Sequence, residues 1–327
     1  MSDTMHAGGT VRHSATGPHQ PVPSQHVPFR TGQSAGVPRE FAHRRAMEDV
    51  LIMSWSRLDD DHFSLAAQWP YDHQYFTPSH GRHHPLLAGE TIRQAGLLLS
   101  HAELGVPLGH HFILADLVYT TDPERLTVGT GPAALTIDVR CSNTRMRAGA
   151  MTSSRFDMTI RRDGRIVATG NSSVTVTAPA VYRRIRGERL SARHVDRPLP
   201  APVSPRLTGS THPDEVLLTP TDQPDRWLLR LATGHASVVN PANDHIPGMA
   251  LLDAAHQAAR VITAPDNFVP YAFRTEFQRY AEHDIPCVIE ARRVPSAIPH
   301  TTTVKVTGLQ GGEPVFASTL TALDERP

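Results

Sequence analysis

The sequence predicts an α+β protein built from one structural unit used twice. Three observations carry that prediction. The order strand, loop, apolar helix, then a meander of strands occurs twice along the 327 residues. Both helical stretches are apolar nearly all round, as a helix is when a sheet wraps it and not when it lies on a surface. The runs after each helix have the alternation, or the β-branched content, of strands and are separated by turn residues.

Residues 1–36 hold Gly, Pro, Ser, His and Thr with few bulky apolar side chains, too little to offset the entropy of ordering, and are expected to be a disordered tail. The first unit spans residues 37–181. FSLAAQW (63–69) reads as a strand, followed by a His- and Pro-rich loop and the helix LLAGETIRQAGLLLSHAEL (86–104). Strands are expected at 112–120, 133–142, 153–162 and 166–178, with Asp163-Gly164 as the hairpin turn between the last two. Residues 182–213 carry RRIRGER and then a Pro-rich run, and are expected to form an extended linker over the surface. The second unit, residues 214–327, repeats the order. WLLRLAT (227–233) is followed by a loop, by the helix GMALLDAAHQAARVI (248–262) opened by Pro247, and by strands at 271–280, 287–294, 301–309 and 315–323. Gly311-Gly312 marks the last turn.

Composition excludes several classes. There are 32 basic and 32 acidic residues and a pI near 7.4, whereas a general nucleic-acid binder has a domain pI above about 9. No nucleic-acid partner is expected. Cys141 and Cys287 are the only cysteines and lie far apart, so no disulfide framework is indicated. Apolar runs such as 97–99 and 249–252 fall far short of the roughly 20 residues of a membrane helix, and the opening MSDTMHAGGTVRHS lacks the apolar core of a secretory leader. A cytoplasmic protein with no membrane partner is expected. Lys305 is the only lysine, so 31 of the 32 basic residues are arginine, the better bidentate partner for phosphate and carboxylate.

Laying GETIRQA (89–95) on LDAAHQA (252–258) aligns Glu90 with Asp253, Arg93 with His256 and Gln94 with Gln257. In each helix the carboxylate and the amide stand four residues apart, on one face. A carboxylate in an apolar helix is costly unless paired, hydrogen-bonded or protonated, so Glu90 and Asp253 are candidate general acids or bases. Gln94 and Gln257 are candidates to steady them, and His256 is a further catalytic candidate. The alternative for Asp253 is a bond to a loop amide or an arginine; for Glu90 it is an ion pair with Arg93 at i+3. Gly248 and Met249 start a helix, where unpaired N–H groups can polarise a thioester carbonyl; Gly248 is equally suited to close packing on a sheet. Arg93, Arg274 and Arg279 are candidate phosphate ligands, with a solvated strand face as the alternative for the last two. His245, just before the second helix, is a candidate for contact with substrate. The histidines of SHGRHH (79–84) and His110-His111 lack the spacing of a recognised metal motif, so no metal and no cofactor are expected.

PGMALLDAAHQA (247–258) resembles the central-helix motif of the hotdog-fold β-hydroxyacyl-ACP dehydratases. The whole arrangement is closer to the A-factor biosynthesis (AfsA) family: VPREFAHR (37–44), ETIRQAG in the first helix, then HIPGMALLDAAHQAAR and FRTEFQRYAEHDIP in the second half. The resemblance runs from about residue 37 to the end. It implies a double hotdog, two long central helices each wrapped by a curved antiparallel β-sheet, and an acyltransferase of the γ-butyrolactone synthase type. Such an enzyme moves a β-ketoacyl group from acyl carrier protein, or from CoA, to the hydroxyl of dihydroxyacetone phosphate, and the ester then closes to a butenolide phosphate. The implied partners are therefore acyl carrier protein, the β-ketoacyl thioester and dihydroxyacetone phosphate.

Two positions depart from the related patterns. Val239-Asn240-Pro241 stands where the dehydratases carry their catalytic HFPG loop, which argues against dehydration by a His and carboxylate pair in the second half. His256 stands where close AfsA relatives carry Arg. A hotdog dehydratase or thioesterase and a non-catalytic acyl-binding regulatory module are the rival readings. The sequence leaves open which of the two equivalent sites works and whether the chain forms a homodimer.

Overall fold

The computed structural model describes residues 36–73, 75–193, 199–231 and 243–324. The tail expected over 1–36 lies, except for Gly36, outside the described residues. The first half lays down β1 (Ile52–Arg57), β2 (His62–Trp69), helix α1 (Leu86–Ala102), β3 (His111–Thr121), β4 (Ala133–Arg147), β5 (Ala150–Arg162) and β6 (Arg165–Thr177). Helix α2 (Pro179–Arg186) and the single turn α3 (Pro205–Thr208) follow. The second half adds β7 (Leu218–Pro220), β8 (Arg226–Leu229), helix α4 (Gly248–Thr263), β9 (Pro270–Phe277), β10 (Cys287–Val294), β11 (Thr301–Gln310) and β12 (Glu313–Leu323).

All of these strands join one sheet in the order β1-β2-β4-β5-β6-β3-β9-β12-β11-β10-β8-β7. Read from either edge inward, the two halves repeat the same order, and every neighbouring pair is antiparallel. The strands alternate as half-buried strands must: Phe63, Leu65, Ala67 and Trp69 of β2 face inward, as do Leu135, Ile137 and Val139 of β4. Helix α1 packs against β1, β2, β3, β5 and β6, and α4 against β7, β9, β10, β11 and β12. For one straight helix to touch so many strands, the sheet has to curl around it. Both helices are buried nearly all round, with Arg93 the partly exposed exception in the middle of α1.

The halves meet at β3 and β9, which pair antiparallel with Val118 opposite Arg274 and Tyr119 opposite Phe273. The Tyr119 and Phe273 rings stack 4.6 Å apart at 11° in the shared core. Helix α1 comes close to this point because Gly170 of β6 has no side chain: a Cβ there would lie 2.5 Å from Tyr119 and 2.6 Å from Ile92. Asp163 and Gly164 both take positive φ, 51° and 72°, as do Gly311 and Gly312, at 59° and 83°. These are the type I′ turns whose twist matches the strands they join.

The structure differs from the sequence reading in two places. The segment expected to be an extended surface linker begins in a helix, α2, and its Arg186 is buried. An arginine-rich run reads as solvated when its carboxylate partners lie far along the chain, as they do here. Strands β1 and β7 were not expected from the sequence: β1 is the six-residue edge strand IMSWSR, without strict alternation, and β7 has three residues.

Replacing Phe273 by Ala removes a fully buried ring from the seam between the halves. The expected cost is about 3–5 kcal/mol of unfolding free energy, read by urea denaturation.

Candidate active site

Each buried helix carries an amide that serves the backbone. Gln94 Oε1 accepts from the Leu51 N–H at 2.8 Å and its Nε2 donates to the Asp49 carbonyl at 2.8 Å. In the second half Gln257 Oε1 accepts from the Leu217 N–H at 2.8 Å and its Nε2 donates to the Glu215 carbonyl at 3.0 Å. Both glutamines thus pin the chain that leads into the first strands of their half. Each amide also reaches the carboxylate one turn earlier, Gln94 Nε2 donating to Glu90 at 2.6 Å and Gln257 Nε2 to Asp253 Oδ1 at a longer 3.4 Å, the steadying contact expected of them.

Glu90 departs from its expected part as a base. It is 1% exposed and bound by Arg44, by Arg93 (Nε to Oε2, 2.9 Å) and by Gln94 Nε2 at 2.6 Å. Burial alone would raise its pKa, but the charges and hydrogen bonds of Arg44 and Arg93 prevail and hold it at about 2. Glu90 is a fixed anion, and one carboxylate between two guanidinium groups leaves a surplus positive charge.

That surplus faces a cavity of about 600 Å³. Arg44, Arg45, Arg93 and Arg279 line it, and among the described residues no carboxylate does. One wall is apolar, from Leu97 of α1, Phe112, Ile113 and Leu114 of β3, Val174 of β6 and Phe277 of β9. The lining is completed by the loop before α4 with the first turn of that helix: His245, Pro247, Gly248 and Met249. Ala250 and Leu251 donate the first backbone bonds of α4 to the Pro247 carbonyl, which leaves the Gly248 and Met249 N–H groups at the open end. The same glycine also packs closely, since a Cβ on it would lie 3.1 Å from the Phe277 ring.

His245 is held from behind. Its Nδ1 lies 2.8 Å from Asp244 Oδ1, and Asp244 also accepts from the Tyr182 hydroxyl at 2.9 Å and from Arg186 Nε at 2.7 Å. Arg186 continues to Glu282 with a two-pronged contact at 2.7 and 2.8 Å. Burial would raise the Asp244 pKa, but the bonds from His245, Arg186 and Tyr182 keep it well below the usual carboxylate range. Tyr182 stacks on His111 at 3.5 Å, and the Tyr280 ring sits 4.9 Å from His245. Tyr280 lines the cavity, and its buried hydroxyl has no hydrogen-bond partner among the described residues.

Asp253 and His256 belong elsewhere. They line a second cavity of about 300 Å³ together with Tyr75, His84, Arg82, Glu215 and Arg260. Asp253 Oδ2 accepts from the Tyr75 hydroxyl at 2.6 Å. Burial raises the Asp253 pKa to about 6 against the lowering bonds from Tyr75 and Gln257. The two cavities are the equivalent sites of the two halves, each taking a central-helix face from one half and the pre-helix loop of the other.

The expected site residues therefore divide. Arg93, Arg279, His245, Gly248 and Met249 come together at the first cavity, whereas Asp253 and His256 do not share it with the α4 start. Arg274 is exposed on β9 and lines neither cavity, because strand alternation turns it outward between the buried Phe273 and Thr275. Arg44, Asp244, Tyr182, Arg186 and Tyr280 went unnoticed in the sequence. Arg44, the last residue of VPREFAHR, and Tyr280, within FRTEFQRYAEHDIP, had a local signal.

A duplicated helix-in-sheet unit with a ligand cavity between its halves defines the class as a double hotdog protein. An oleoyl thioesterase from Lactobacillus plantarum has the same fold, with a TM-score of 0.53 and 14% identity over 83% of this chain and 99% of that one. The chain belongs to the A-factor biosynthesis hotdog domain family, whose model matches residues 26–178 and again 191–323. It is 44% identical over 281 residues to a 2-oxo-3-(phosphooxy)propyl 3-oxoalkanoate synthase of Streptomyces virginiae, covering 86% of this chain and 95% of the relative. A protein of the same name from Streptomyces coelicolor is 43% identical over 285 residues, 87% of this chain and 90% of the relative. Among the described residues no helix is long and apolar enough to cross a membrane.

Two outcomes are expected from the ion pairs. Because the folded pKa of Glu90 is depressed, its stabilisation is present above the unfolded value and is lost as pH falls toward about 2. Glu90→Gln should therefore cost about 3 kcal/mol at pH 7. In urea titrations that difference should shrink below pH 5 and close near the folded pKa. Arg186→Met strands the buried carboxylates of Asp244 and Glu282 and should cost about 3–5 kcal/mol; the double variant Arg186→Met, Glu282→Gln should cost less, because one stranded charge is gone, both read by urea denaturation.

Proposed function

We propose that the chain makes the ester for which its relatives are named, joining a 3-oxoacyl group to the free hydroxyl of dihydroxyacetone phosphate in the first cavity. The ester is the precursor from which a γ-butyrolactone signalling molecule is built. The observation that carries this reading is a cavity with four arginines, an apolar wall and, among the described residues, no carboxylate. Arginine guanidinium groups suit a phosphate dianion, and the apolar wall suits an acyl chain.

The donor is a thioester, carried by acyl carrier protein or CoA. The N–H groups of Gly248 and Met249 at the α4 start polarise its carbonyl. His245, its Nδ1 held by Asp244, takes the proton of the attacking hydroxyl at Nε2. The new C–O bond forms, the C–S bond breaks, and the imidazolium returns the proton to the departing thiolate. Asp244 keeps the ring in one tautomer and stabilises its charged form, the part an orienting carboxylate plays beside a general base. Glu90 holds Arg44 and Arg93 at the cavity without entering the chemistry.

The test is incubation with a 3-oxoacyl carrier protein, with and without dihydroxyacetone phosphate, followed by mass spectrometry. Phosphorylated ester is expected only when the triose is present. Free acid or enoyl product as the main outcome would instead support a thioesterase or dehydratase, and bound thioester without turnover would support a regulatory module. His245→Ala is expected to lower kcat by about 10²–10⁴-fold with folding intact; an unchanged kcat would remove His245 from the mechanism.

A further inference from the structure

We propose that the second cavity is a binding site for one divalent transition-metal ion, held by His84, Asp253 and His256. One ligand atom from each of the three lies within 4.8 Å of the other two. Two imidazoles and a carboxylate are the donor set of zinc and cobalt sites. Metal bonds of about 2.0–2.2 Å bring tetrahedral ligands roughly 3.3 Å apart, so the three side chains close by about 1 Å around an ion.

A second observation points at the same spot. His256 is 5% exposed, and its Nδ1 has no hydrogen-bond partner among the described residues. The nearest anionic atom is Asp253 Oδ1, 3.9 Å away. A buried imidazole nitrogen left unpaired is costly, and coordination would use it. Asp253 is arranged for this role: Tyr75 holds Oδ2 at 2.6 Å, while Oδ1 has only the long 3.4 Å contact from Gln257. A ligand oxygen steadied through its partner oxygen is the usual outer support of a metal site. The Leu86 N–H reaches His84 Nδ1 at 3.3 Å, a long contact that coordination through either nitrogen would give up.

The open side of the cluster faces the cavity, where Arg260 also lies with its Nε unpaired among the described residues. A guanidinium beside the open position favours an anion there, hydroxide or phosphate, as the fourth ligand. At the equivalent position of the first cavity Arg93 takes the place of His256, and a guanidinium does not ligate. The proposal does not depend on the acyl-transfer reading, which uses the other cavity.

The full-length chain, stripped with a chelator, is titrated with Co²⁺ alone and with Zn²⁺ alone. Visible d–d absorption with Co²⁺, its displacement by Zn²⁺ and a higher thermal midpoint with Zn²⁺ are expected. Other histidines also take up metal weakly, so the reading is the difference of one tight equivalent between the native chain and His84→Ala or His256→Ala. Each variant should lose that equivalent by about 100-fold or more in affinity. Circular dichroism checks folding, and His84→Ala, in a loop, decides if His256→Ala does not fold. Absence of visible bands in the native chain, or their retention by either folded variant, would overturn the site.

Discussion

A helix buried on every side must account for each polar side chain it carries, and the rest of this structure follows from how α1 and α4 meet that constraint. Neither helix has a solvated face to which a glutamine or a carboxylate can retreat. Gln94 and Gln257 resolve it identically, by taking the place of a neighbouring strand and bonding the N–H and C=O of the incoming chain. Those bonds set where each half's first strands begin. The carboxylates one turn earlier have no such common solution, and there the two halves diverge.

Glu90 is matched by an excess of cation and becomes an anchor for arginines; Asp253 is matched by a phenol and neutral imidazoles and stays close to its proton. One methylene, one Arg-to-His difference and the identity of the residue arriving from the opposite loop separate a cavity lined by arginines from one lined by His84, Asp253 and His256. Duplication supplied two equivalent frames, and the polar residues at three positions gave them different chemistry.

The fold was legible in the sequence because its signals are local and periodic. Alternation in 63–69 and 133–142, apolar runs in 86–104 and 248–262, and Asp163-Gly164 each describe their own segment. The alignment of Glu90 with Asp253 and Gln94 with Gln257 also read correctly as equivalence. What those residues do was less legible, because it depends on partners distant along the chain. Arg44 reaches Glu90 from before β1, Tyr75 reaches Asp253 across the whole first half, and Arg186 finds Asp244 and Glu282 in the other half. Arg274 misled for a different reason: it lies on the exposed face of β9, and the cavity lining begins only at Phe277, three residues further on.

Because each cavity takes its helix face from one half and its loop from the other, neither half contains a whole site. In two separate chains each site would exist only while the pair stayed associated, and its occupancy would fall as the protein was diluted. Joined in one chain, the halves see each other at the fixed, high effective concentration that a tether imposes. The site is then as complete at a few molecules per cell as at thousands.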